Sequence, residues 1–90
     1  MDVTHDERHA RFVLEHEGTL SMLQYRMESE GVIHFTRTWV APEFRGGGLG
    51  VALVQAGLDY AREASLKVTS SCWFVDEFLD GVPEYQDRRA

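Results

Sequence analysis

The sequence holds a single cysteine, Cys72, so no internal disulfide can form and a small disulfide-stapled secreted scaffold is excluded. No apolar run approaches the ~20 residues that span a bilayer, and no charged start followed by an apolar stretch reads as a signal peptide. A reducing, cytoplasmic setting and no membrane partner are therefore the expectation. Positive charge is scarce as well. Nine Lys and Arg stand against 15 Asp and Glu, a net charge of −6 that repels phosphate backbones at long range and makes nucleic acid a poor partner. An acidic surface of this kind suits a cationic acceptor, although it is also ordinary for a soluble protein. Only two prolines are present, and there is no low-complexity tract or repeat.

What is there suits one small globular domain: 90 residues, 43% of them hydrophobic, with ten aromatics. A chain this short buries only about 60% of its unfolded surface, which leaves no room for a separate substrate domain. Residues 1–10 are polar, lack an apolar period and read as a frayed, flexible N-terminus; residues 11–87 form the domain and 88–90 a tail.

From Arg11 the pattern alternates, with Phe12 and Leu14 on one side and Val13 on the other, up to the turn signal Glu17-Gly18. Thr19 to Met27 alternates again, with Leu23, Tyr25 and Met27 sharing a face, and makes a hairpin with the first run. Val32 to Val40 is β-branched and aromatic and stops before Pro42, which predicts a third antiparallel strand. Leu49, Leu53, Gly57, Ala61 and Ala64 then recur near helical period, widened by Val54 and Leu58, and predict an amphipathic helix of about five turns. Lys67 to Cys72 reads as a strand returning parallel to the third through a right-handed crossover. Trp73 to Leu79 follows as a shorter helix, Pro83-Glu84-Tyr85 as one more turn, and Gln86 to Ala90 as a solvated end. The fold class is α+β: a mixed, mostly antiparallel sheet with one long and one short helix.

Between the third strand and the long helix lies Arg45-Gly46-Gly47-Gly48-Leu49-Gly50, four glycines in six positions. Glycines let backbone N–H groups approach a ligand, and a helix N-terminus carries about half a positive charge, so the turn suits a pyrophosphate, with Arg45 adding a charged contact. The competing reading is a tight connection that needs glycine for geometry alone. A triphosphatase phosphate loop would need Lys followed by Ser or Thr where Val51-Ala52 stands, and no glycine here starts the dinucleotide spacing.

Arg45-x-x-Gly48-x-Gly50 resembles the R/Q-x-x-G-x-G/A pyrophosphate signature of the GCN5-related N-acetyltransferases. Thr38-Trp39-Val40, Pro42, Leu53, Leu58-Asp59-Tyr60-Ala61-Arg62, Lys67-Val68, Cys72, Phe74-Val75 and Pro83-Glu84-Tyr85 extend the likeness to a small subfamily that lacks the N-terminal helices of the larger enzymes. The resemblance covers roughly residues 11–87 and implies a minimal acyl-CoA N-acyltransferase fold. It implies acetyl-CoA as cosubstrate, with the backbone at Trp39-Val40 pairing with the pantetheine amides and Gly46, Gly47, Gly48, Leu49 and Gly50 holding the pyrophosphate. The implied activity is transfer of an acetyl group to an amine of a small molecule or peptide that the sequence leaves undefined. The alternative is a CoA- or acyl-CoA-binding module without catalysis.

Transfer needs a free amine, a positioned thioester and a proton for the departing thiolate. In the resembled subfamily a cysteine stands at Cys72, which makes it the candidate acid or nucleophile; the alternative is a small buried hydrophobe. The subfamily often has histidine where this chain has Arg37, which cannot act as a base near neutral pH. His34 lies three positions earlier, and plain alternation puts it on the opposite face, in a structural role. Ser70 stands where the subfamily usually carries proline. Trp39, Trp73 and Phe74 are candidates for an acyl pocket or, more plainly, for core. His5 and His9, four apart, are the only metal-ligand pair worth weighing, and no metal is expected.

Overall fold

The computed structural model describes residues 2–82 and 89 of the chain. Five strands form one sheet in the order β1-β2-β3-β4-β5: β1 Thr4–Asp6, β2 Arg11–His16, β3 Thr19–Ser29, β4 Val32–Trp39 and β5 Lys67–Ser70. The first four are antiparallel, and β5 returns parallel to β4 after α1, Leu49–Glu63. A second helix, α2, Trp73–Gly81, follows β5. The α+β architecture read from the sequence is the one observed. The turn at Pro83 to Tyr85 and the end from Gln86 lie outside the described residues, apart from Arg89, which bridges to Val68 and pairs with Asp80.

The alternation of β2 and β3 follows from a two-residue turn. Glu17 and Gly18 both take positive φ, 50° and 80°, so His16 faces Thr19 and the register runs unbroken to Arg11 opposite Gln24. That register places Phe12, Leu14 and Leu23 on one face, where they meet Ile33, Phe35 and Val68 and the buried stripe Leu53, Val54, Leu58 and Ala61 of α1. Gly57 sets the distance of the helix from the sheet: a Cβ there would stand 2.8 Å from Leu23 Cδ2 and 3.0 Å from Phe35 Cε1. Ala64, included in the predicted stripe, is exposed beyond the helix end. Val75 and Leu79 of α2 join the same buried cluster. Both helices therefore pack on one face, and no described helix covers the other.

Two expectations are corrected. The N-terminus is not a frayed end: Thr4, His5 and Asp6 pair with Val13, Phe12 and Arg11 as an edge strand. The His5 ring supplies the apolar anchor that residue counting misses, stacking on Phe12 at 4.2 Å, meeting Tyr60 edge-on at 4.4 Å and sharing a 2.6 Å hydrogen bond with the Tyr25 hydroxyl.

The second correction concerns β4. Gln24 faces Arg37 and Tyr25 faces Phe35, so Thr36 is an extra residue, a β-bulge, with its hydroxyl donating to the Gln24 carbonyl at 3.1 Å. The bulge reverses the alternation. His34 opposes Arg26 and Arg37 opposes Gln24, two residues apart on β3, which puts His34 and Arg37 on the same, helix-free face. Beyond the bulge it is Thr38, opposite Leu23, that points toward the helices.

Candidate functional site

β4 and β5 pair only from Val32 to Phe35, and past that pairing, on the side toward the end of β4, Ser71 N–H donates to the Phe35 carbonyl at 3.0 Å. There the strands part: β4 runs on to Trp39 while the other chain turns at Cys72 into α2. The gap opens into a cleft of about 490 Å³ between the end of β4 and the start of α1. Thr38, Val40, Arg45, Gly46, Gly48, Leu49 and Gly50 line it, together with Phe44, Val51 and Phe74.

The glycines have different tasks. Gly48 caps α1 at φ 89° and Gly46 sits at φ 87°, a region where any side chain is strained, and a Cβ at either would meet nothing within 4 Å. Gly50 is needed for packing: a Cβ there would press on the Phe74 ring at 3.2 Å, so this glycine lets α2 close against the first turn of α1. Gly47 lines an adjoining recess with His16 and Glu43, which shares Phe44, Arg45, Gly46 and Leu49 with the cleft. Leu49 sends its side chain into the core while its backbone opens the helix.

The first intrahelical bond runs from Ala52 N–H to the Gly48 carbonyl, and Gly48 has no side chain to cap the turn. The N–H groups of Leu49, Gly50 and Val51 therefore precede the helical ladder and face the cleft end with the positive end of the helix dipole. Arg45 folds back, its Nε–H donating to the Val40 carbonyl at 2.9 Å, which ties the glycine turn to the end of β4 and holds the guanidinium at the cleft rim.

Cys72 lies behind this cleft. Its sulfur is 3.4 Å from the Thr38 hydroxyl, and its backbone is held by Ser70, whose Oγ accepts the Cys72 N–H at 2.9 Å and lies 3.0 Å from the Cys72 carbonyl. The serine thus fixes the turn where a proline would have stiffened it. Burial raises the thiol, but the Thr38 hydroxyl and the backbone N–H groups of Val75, Phe74 and Thr38 outweigh it and bring Cys72 below the usual thiol range. The residue is half-buried and packs against the edge of the core cluster.

The aromatic candidates separate. Phe74 lines the cleft, whereas Trp73 is 73% exposed and Trp39, opposite Met22, faces the helix-free side, so neither indole reaches the cleft wall. His5 and His9 also part, His5 to Tyr25 and His9 to Asp6. Among the described residues no three His, Cys, Asp or Glu side chains gather around one point.

On the helix-free face His34 is bonded through both ring nitrogens, Nδ1 to the Thr69 hydroxyl at 2.7 Å and Nε2 to the Ser71 hydroxyl at 2.8 Å. Thr69 in turn donates to Glu28 Oε1 at 3.2 Å. Arg26 and Thr69, as hydrogen-bond donors, hold the Glu28 carboxyl below the usual carboxylate range. Sequence reading gives no sign of this chain of groups, because the bulge and the parallel return of β5 bring its members together.

A mixed sheet whose two parallel strands part beside a glycine-rich helix start defines the GCN5-related N-acetyltransferase class of fold. The comparisons agree. The family described as GCN5-related N-acetyl-transferase matches residues 11–88, and the chain belongs to that family. Human and bovine protein NATD1 are each 28% identical over 90 residues, covering 96% of this chain and 80% of theirs. The solution structure of a GCN5-like protein from Staphylococcus aureus superposes with a TM-score of 0.77 at 30% identity, covering 99% of this chain and 87% of that one.

Proposed function

We propose that the protein binds acetyl-CoA in the β4–α1 cleft and transfers the acetyl group to a primary amine. The observation that carries the cofactor half is the uncapped start of α1. Backbone N–H groups of Leu49 to Val51, two glycines without obstructing side chains and the Arg45 guanidinium converge on one end of the cleft, which is the chemistry a pyrophosphate needs. The pantetheine arm then runs along β4 from Val40 to Thr38, where no described strand pairs on the β5 side, as an added strand-like segment.

The thioester end lies toward Thr38 and Cys72. A thiol held below its usual range beside a hydroxyl supplies the proton that the departing CoA thiolate takes up. The amine attacks the carbonyl carbon, the C–S bond breaks, CoA leaves as the thiol with the Cys72 proton, and the proton that the nitrogen sheds on becoming an amide restores the Cys72 thiol.

A second reading, a module that binds CoA without turnover, is favoured by one observation: no described helix covers the sheet face opposite the cleft, which leaves an acceptor open to water. One assay separates the two. Incubation with acetyl-CoA and either spermidine or a lysine peptide is followed by free CoA thiol and by the mass of the amine product. Thiol release matched by acetylated amine is the expected result; stoichiometric acetyl-CoA binding with no release above the protein-free rate makes the protein a binding module.

A further inference from the structure

The reaction needs a base for the acceptor, since an alkyl amine with a pKa near 10.4 is almost wholly an unreactive ammonium at neutral pH. Arg37 cannot provide one. The helix-free face holds a group that can. Resting on the acetyl-transfer reading above, we infer that His34, acting through the Ser71 hydroxyl, is the proton acceptor for the amine, and that the amine approaches the strand gap from the helix-free face.

The direction of the hydrogen bonds carries the inference. Glu28 as a carboxylate only accepts, so the Thr69 hydroxyl donates to it. The oxygen of Thr69 then accepts from His34, which requires the proton on Nδ1. Nε2 is therefore bare in the neutral ring, and the Ser71 hydroxyl donates to it. One ionised carboxylate thus sets a single tautomer across three side chains and leaves the basic nitrogen facing a hydroxyl at the surface. The ring itself is only 12% exposed, whereas Ser71 is exposed, so Ser71 is the member that an incoming amine meets.

Position supports the same assignment. Ser71 and Cys72 are neighbours at the end of an extended segment, so their side chains project to opposite faces: Cys72 to Thr38 on the helix side, Ser71 to His34 on the open side. The thioester would reach the gap from the first side and the amine from the second. The step balances. The ammonium gives a proton to Ser71 Oγ as Ser71 passes its own to His34 Nε2; the neutral amine forms the C–N bond, the C–S bond breaks, the CoA thiolate takes the Cys72 proton, and the second N–H proton restores the Cys72 thiol.

The charged groups around the ring are Glu28, 3.8 Å from Nδ1, Arg26 opposite it on β3, Arg37 along β4 and Lys67, two residues before Thr69 on β5. A role in merely tying β5 to β4 would leave the pH profile of turnover unchanged, and that is the discriminating readout.

The test uses the full chain with acetyl-CoA and spermidine. His34→Gln is expected to lower kcat by about 100-fold or more with KM for acetyl-CoA within about twofold, the deficit narrowing as pH rises toward the amine's own pKa. Ser71→Ala loses turnover in the same sense, and Ser71→Thr, which keeps the hydroxyl, restores it. Long-range nitrogen–proton NMR of the wild-type His34 ring is expected to show the Nδ1–H tautomer. A folded His34→Gln or Ser71→Ala variant with activity within about threefold of wild type at pH 7, or an Nε2–H tautomer, overturns the relay while leaving acetyl transfer intact. A wild type that releases CoA to no amine sinks the parent reading, and the relay with it.

Discussion

The Thr38 hydroxyl lies 3.4 Å from the Cys72 sulfur, across the point where β4 and β5 part. Thr38 reaches it because the bulge at Thr36 has reversed the alternation of β4 and turned Thr38 toward the helices. The hydroxyl favours the thiolate, so the half-buried sulfur behind the cleft is more acidic than an ordinary cysteine.

Thr38→Val keeps the shape and removes that donor. The thiol pKa is expected to rise, less thiolate is present at pH 7, and alkylation of Cys72 by iodoacetamide slows several-fold. Alkylation rate against pH checks it: the midpoint of the variant should lie above that of wild type. Equal midpoints would remove Thr38 from the account.

Gly57→Ala tests the helix–sheet contact. In an open helix the change would add up to about 1 kcal/mol of helix propensity. Here the new Cβ would stand 2.8 Å from Leu23 and 3.0 Å from Phe35, and overpacking of that kind costs about 1–3 kcal/mol. The net expectation is a lower Tm, read by thermal unfolding; a higher Tm would show that α1 shifts freely on the sheet.

The edge strand gives a test with a pH sign. His5→Ala removes the ring stacked on Phe12 and the bond to Tyr25 and is expected to cost about 1–2 kcal/mol. Asp6 at the end of β1 is held below the usual carboxylate range, first by the Arg11 guanidinium at 3.0 Å and then by His9. A depressed carboxylate contributes its stability above its unfolded pKa, and the contribution fades as pH falls through the folded value. Amide protection of Thr4 to Asp6 should therefore fall in acid before that of β2 and β3, and Asp6→Asn should flatten the dependence.

Much of this was legible in the amino acids. The apolar period from Leu49 to Ala61 specified α1, the β-branched and aromatic run from Val32 specified β4, and the glycines between them marked the cleft. Two features were hidden for physical reasons. The edge strand β1 has no apolar alternation, because its burial is done by the His5 ring and its cohesion by backbone pairing with β2. The bulge at Thr36 is a single added residue that leaves no mark on composition, yet it moves His34 and Arg37 to one face and Thr38 to the other. Trp73 illustrates the converse: an aromatic that reads as core or pocket stands largely in solvent at the start of α2.

The claim that the start of α1 holds a pyrophosphate is tested most directly by Val51→Glu. Val51 is 43% exposed on the first turn and lines the cleft. An acidic side chain there favours the helix dipole by about 0.3–1 kcal/mol and at the same time repels a bound pyrophosphate. Calorimetric titration of wild type and variant with acetyl-CoA, alongside their Tm values, is expected to show saturable binding in the wild type. In a variant whose Tm is unchanged or raised, affinity should be at least about tenfold weaker, a loss near 1.4 kcal/mol. Equal affinity in the two proteins, or no binding to wild type at millimolar acetyl-CoA, would contradict the cofactor assignment.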